Sequence, residues 1–234
     1  MSGRSRLAAG LLALGLAAAA TAEAAAPDDR LLAPVQHTSE KARMLATKHA
    51  RALRDLNNEV YHCLPWLEVH KASIGFFKPK HLTNDSRFLS IRLYIEQEPS
   101  PQFASLSAEQ RASAMFSRYV GPMLKRMTRS ASVLNDDAID GFTVILEWMK
   151  QIPSAAGQRP IHETIAVFVD KVDADAYLAG RAGLRDLAAR ARLLAFDGEK
   201  ALGNLPVAPY EDDFVATYRM KNYQPDPSAN CGWQ

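Results

Sequence analysis

Glu59 to His70, EVYHCLPWLEVH, gathers two histidines, a cysteine, a tryptophan and glutamates into twelve positions. Such residues serve nucleophilic catalysis, metal binding or a covalent cross-link. A nucleophilic thiol needs a base or cation beside it and donors for an oxyanion. His62 is adjacent to Cys63, but neighbours at a helix end point in different directions, and no nucleophile elbow surrounds the cysteine. A metal site needs three or four convergent ligands. His62, His70 and His81 fall on a helix end, a strand and a loop, without HExxH, HxH or CxxC spacing. No metal site and no cofactor is therefore assigned. The two cysteines of the chain, Cys63 and Cys231, are best read as a disulfide partnership.

Other chemistry is sparser. Glu68 and His70 share a strand face, being two apart. With His162 and Glu147 they are the first candidates for a catalytic site assembled from distant residues. His162 and Glu163 are consecutive on a strand and must face opposite sides. The acidic runs Asp136, Asp137, Asp140 and Asp170, Asp173, Asp175 fall at turns or a helix start, where aspartate makes local hydrogen bonds. Arg111, Arg118 and Lys125 recur every seven residues and form a candidate interaction face, against the commoner reading of a solvated helix surface. GRAGL lacks the lysine and spacing of a phosphate loop, and no serine occupies a G-x-S-x-G turn.

The chain opens MSGRSRLAAGLLALGLAAAATAEAAA. Arg4 and Arg6 precede an apolar run, and Ala22-Glu23-Ala24 fits small-x-small cleavage, so residues 1–24 read as a signal peptide. Pro27 disfavours a cut after Ala26. The run is too short and too rich in alanine for a comfortable membrane span, and no other segment is long and apolar enough. The mature chain is expected in the periplasm or outside the cell, where Cys63 and Cys231 would oxidise. Losing Arg4, Arg6 and Glu23 leaves the net charge within one unit of neutral, which offers no general field for nucleic acid.

These elements must position the candidates. Residues 25–37 carry two prolines and no period and read as a linker. A first helix runs from Thr38 or Ser39 to Tyr61, with Ala42, Leu45, Ala46, His49, Leu53, Leu56 and Val60 on one face. LEVHKASIGFF is a strand interrupted near Lys71, and SRFLSIRLYIEQE alternates as a strand with one covered face. Ser107 and Gln110 fit a capping box opening a second helix, which Gly121-Pro122 should kink or divide. GFTVILEWMKQ and IHETIAVFVDK are apolar on both faces and are placed centrally. A third helical region, split by Gly180 and Gly183, ends around FDGEKALGN, and DDFVATYRM adds an edge strand.

The expected fold is α+β, in the order α-β-β-α-β-β-α. An antiparallel sheet of four or five strands carries two or three helices mainly on one face. Read cyclically, it is a permutation of the ferredoxin-like arrangement, an analogy of topology alone. One domain spans 38–220, followed by a tail, 221–234, tied to Cys63. The leading functional expectation is an exported, non-enzymatic domain that binds an envelope protein or a small ligand. The alternatives are an envelope hydrolase or metal-dependent enzyme, and a scaffold that self-associates through its sheet edge.

Overall fold

Ser39 opens the first helix, its Oγ accepting the Ala42 amide at 3.1 Å and so satisfying a group that helix starts leave unpaired. In the computed structural model, which describes residues 26–95, 100–151, 160–209 and 231, α1 covers Glu40–Lys48 and α2 covers Ala50–Cys63. The expected single helix is thus interrupted at His49, whose backbone leaves helical geometry while its imidazole is buried against Asp136 at 2.7 Å. The stripe Ala42, Leu45, Ala46, Leu53, Leu56 and Val60 is buried as its spacing requires.

Two short strands follow, β1 (Leu67–Val69) and β2 (Gly75–Phe77), both antiparallel to β3 (Phe88–Ile95) along one edge. Between them the chain bulges through Ala72, at φ 50°, and Ser73 Oγ donates to the His70 carbonyl at 2.7 Å. Within the expected linker, 25–37, residues 29–32 lie against this bulge. The Ala72 amide donates to the Asp29 carbonyl, the Leu32 amide donates to the Ile74 carbonyl, and Leu31 bridges Ile74 in parallel.

After β3 come α3 (Pro101–Ala104), α4 (Ala108–Met115), a π-helical turn over Phe116–Val120, α5 (Gly121–Met127) and α6 (Ala131–Leu134). The capping box is present: Ser107 Oγ accepts from the Gln110 amide, and Gln110 Oε1 accepts from the Ser107 amide. Pro122 has no amide to bond back, and the wider turn just before it carries the expected irregularity. β4 (Gly141–Gln151) then pairs parallel to β3, with Leu89 opposite Phe142 and Ile91 opposite Val144. β5 (Ile161–Asp170) is antiparallel to β4; α7 (Lys171–Leu178) and α8 (Leu184–Arg190) follow.

The class is α+β, and among the described residues the sheet has seven strands in a mostly antiparallel arrangement. The expected count and order need correcting. FDGEKALGN does not end a helix: β6 (Arg192–Asp197) and β7 (Lys200–Asn204) form a hairpin there, turning through Gly198-Glu199 with Gly198 at φ 58°. The ferredoxin-like permutation also fails, because it would seat β5 beside β3, whereas β4 is the parallel neighbour of β3 and β5 lies beyond it. The expected signal peptide, the strand expected in DDFVATYRM and all of the tail except Cys231 lie outside the described residues.

Alternation divides the sheet into two faces. Leu89, Ile91, Leu93 and Ile95 of β3, Phe142, Val144, Leu146 and Trp148 of β4, and Ile165, Val167 and Val169 of β5 join one core with the helix stripes. Cys63, buried at the end of α2, is bonded to Cys231 across 168 positions of sequence. No helix of the described residues is long and apolar enough to cross a membrane.

Candidate functional site

The face of the sheet turned away from the helix core holds a trough of about 670 Å³. Its floor comes from alternate residues of four strands: Ser90 and Arg92, Thr143 and Ile145, Ala166 and Phe168, Leu194 and Phe196. Its walls are the bulge at Lys71–Ser73 and the chain from Phe77 to His81 that opens the β2–β3 connection. Ile145, Phe168, Leu194 and Phe196 are half-buried. A cluster of partly exposed apolar side chains in a concave surface is the ordinary composition of a ligand pocket.

Next to this floor, on the same face, Glu147 gathers three partners. Its Oε2 lies 2.6 Å from Arg92 Nη2 and 3.4 Å from His70 Nε2, and its Oε1 lies 3.5 Å from His162 Nδ1. The Tyr94 ring meets the His162 ring edge-on at 5.3 Å. The His70 imidazole pulls the Glu147 carboxyl to about 2; burial opposes this and the Arg92 guanidinium reinforces it. Three of the four residues proposed from sequence, His70, His162 and Glu147, are therefore brought together. Glu68 lies exposed on the trough wall and makes no ion pair among the described residues. Arg92 completes the cluster and was not among the sequence candidates. Its signal was its outward parity on β3, the same as Tyr94.

Glu163 turns the other way, as its parity with His162 requires, and meets Arg111 in a fork of two 2.6 Å contacts with Nε and Nη2. Trp148 Nε1 also donates to Glu163 Oε2, at 3.2 Å. Arg111 is only 4% exposed and Glu163 3%. This corrects the candidate interaction face: Arg111 belongs to the core side, while Arg118 is half-buried and Lys125 exposed. Arg126, one residue beyond, is also buried and pairs with Glu59. The seven-residue spacing assumed 3.6 residues per turn throughout, and the π-helical turn at Phe116–Val120 breaks that register between Arg111 and Lys125.

A second buried cluster joins α1, α2 and the turn before β4. Asp136 accepts from His49 at 2.7 Å and pairs with Lys48 at 2.8 Å, and its other oxygen accepts from the Ala138 amide. Burial opposes its ionisation, but the Lys48 and His49 contacts outweigh it and hold the carboxyl well below the usual carboxylate range. Every oxygen is occupied by the fold itself: the Ala138 bond is the local turn role expected of this aspartate run, whereas the His49 contact spans 87 positions of sequence.

Glu147 itself is poorly suited to act as a general base. A base working at neutral pH needs a pKa near that pH, and Glu147 is held several units below it. Ser73 Oγ, the hydroxyl nearest in sequence to His70, donates to the His70 backbone, and Cys63 is consumed in its disulfide. Among the described residues no three His, Cys, Asp or Glu side chains are placed to hold a metal ion together. No family model matches the chain, nor does any curated protein or solved structure.

Proposed function

We propose that the chain is an exported, non-enzymatic binding domain whose site is the trough on the open face of its sheet. The observation that carries this is the apolar floor of Ile145, Phe168, Leu194 and Phe196, held half-open beside a polar cluster already neutralised by its own ion pairs. Export is supported by the leader sequence and by the Cys63–Cys231 bond, which forms in oxidising compartments. The hydrolase reading is weakened by the acidity of Glu147, which removes it as a base. Self-association through a sheet edge has little to work with. The bulge between β1 and β2 is covered by residues 29–32, and β7 carries Lys200, a register shift against β6 and Gly203 at φ 80°, features that blunt an edge.

The uncharged fluorophore N-phenylnaphthylamine tests the site. It should bind the purified domain saturably, and Ile145→Trp, which fills the floor, should abolish the signal with the circular dichroism unchanged. Equal binding by Ile145→Trp, or ester hydrolysis that Glu147→Gln removes, would overturn the reading. Export is checked by fractionating cells that express a reporter fused after residue 37; reporter left wholly in the cytoplasm would refute it.

A further inference from the structure

We infer that the trough takes a single-tailed amphipathic anion, such as an acyl carboxylate, with its tail on the apolar floor and its head at the end walled by Lys78 and Lys80. The inference rests on the trough being the binding site. Its new content is the polarity of that site.

Charge is distributed unevenly along the trough. At one end Glu68 and Glu147 face the solvent side of the sheet, with Arg92 spent on Glu147 and Lys71 paired with Asp29 at 3.0 Å. Four residues along β4, about 13 Å from Glu147, Thr143 lies at the other end, where the wall runs Lys78, Pro79, Lys80 and His81. Lys78 Nζ donates to the Thr83 carbonyl at 2.8 Å, a neutral acceptor that leaves its charge uncompensated. Lys80 has no ion-pair partner among the described residues. Arg192 stands opposite Phe168 on β6 and adds positive potential, offset in part by Asp170. His81 packs edge-on against Phe168 at 5.0 Å, so the basic wall meets the apolar floor directly. Burial and Arg192 lower the His81 pKa, which leaves the lysines as the lasting cations.

An apolar chain on Ile145, Leu194, Phe196 and Phe168 removes hydrocarbon from water, and a head at Lys78 and Lys80 gains charge-assisted hydrogen bonds. A cationic head would meet like charge there, and at the far end only carboxylates already neutralised or fully hydrated. For an alternative occupant, the chain's own segment 210–230, the described residues on either side of it are held on the other side of the sheet. Ala208 is hydrogen-bonded to Ser113 of α4, and Cys231 is bonded to Cys63 of α2.

The experiment displaces N-phenylnaphthylamine with dodecanoate and with dodecyltrimethylammonium, each below its micelle concentration. Dodecanoate should displace the dye at about tenfold lower concentration. The double variant Lys78→Glu/Lys80→Glu, on an exposed loop, should lose or reverse that preference; its unfolding transition reports that the fold is intact. Equal competition by the two amphiphiles, or a preference that survives the charge reversal, would overturn the anion inference while leaving the trough as a binding site. Failure of the dye itself to bind would instead remove the reading on which the inference stands.

Discussion

Arg92 Nη2 lies 2.6 Å from Glu147 Oε2, joining the two parallel strands at the centre of the sheet by their outward side chains. Glu147 is thereby a structural ion as much as a site residue, and its titration must appear in the stability of the fold. Its carboxyl stands at about 2 in the folded chain against an ordinary 4.5. A depressed folded value means the stabilisation is complete above 4.5 and is lost as pH falls through about 2. Full linkage would give about 3 kcal/mol, and the 44% exposure of the Arg92 side chain reduces this to about 2 kcal/mol. Urea unfolding of Glu147→Gln should therefore show a shallower loss of stability than the parent between pH 5 and 2, roughly by that amount. Identical slopes for the two proteins would show that the pair contributes nothing.

The Arg111–Glu163 fork lies on the opposite face, and its burial changes the arithmetic. Removing one member strands a charge in the core, so Glu163→Gln should cost about 3 to 5 kcal/mol. Replacing both, Arg111→Met with Glu163→Leu, should recover most of that loss, because two desolvated charges are withdrawn together. A double-mutant cycle by urea denaturation measures the difference. Additive losses would mean the two residues do not interact as described.

The alternation of Leu89, Ile91, Leu93 and Ile95 was legible because strand parity is local: each residue's face follows from its neighbour's. The same parity separates His162 from Glu163. The apolar residues on both faces of β4 and β5 are also legible, and mark a central position. They do lie centrally, but Ile145 and Phe168 face the trough and not a second packed layer. Three features were not written locally. The parallel pairing of β3 with β4 depends on how the intervening helices fold back. The burial of Arg111 depends on Glu163, 52 positions away, although its place four residues before Met115 on the apolar stripe was a hint. The β6–β7 hairpin was obscured by the helical run before it, yet Gly198 stands at the first central position of the two-residue turn, where hairpins favour glycine.

Gly141 opens β4 where no side chain fits. A Cβ there would stand 2.5 Å from the Val169 carbonyl oxygen and 2.5 Å from the Phe88 ring. The ring could turn, but the carbonyl belongs to the β4–β5 ladder and cannot move without breaking it. Gly141→Ala should therefore destabilise the fold by about 2 to 3 kcal/mol. Trimming the ring in Gly141→Ala/Phe88→Ala should not restore the loss. Thermal unfolding of the two variants decides it, and a single variant as stable as the parent would mean the strand end can shift.

The Cys63–Cys231 bond closes a span of 168 positions onto the buried end of α2. Cross-linking so long a loop restricts the unfolded chain strongly, by about 5 kcal/mol on chain-entropy grounds. Measured values run lower when the unfolded state keeps structure, so the double variant Cys63→Ala/Cys231→Ala is expected to lose about 3 to 5 kcal/mol. The alanine at 63 also leaves a small void beside Val60 and Leu64, which the single variant Cys231→Ala, keeping a thiol at 63, separates from the loss of the link. Urea midpoints with and without reductant should shift for the parent and stay fixed for both variants. Thiol titration of the unfolded parent should find none; two titratable thiols would show the link is not formed in the isolated protein.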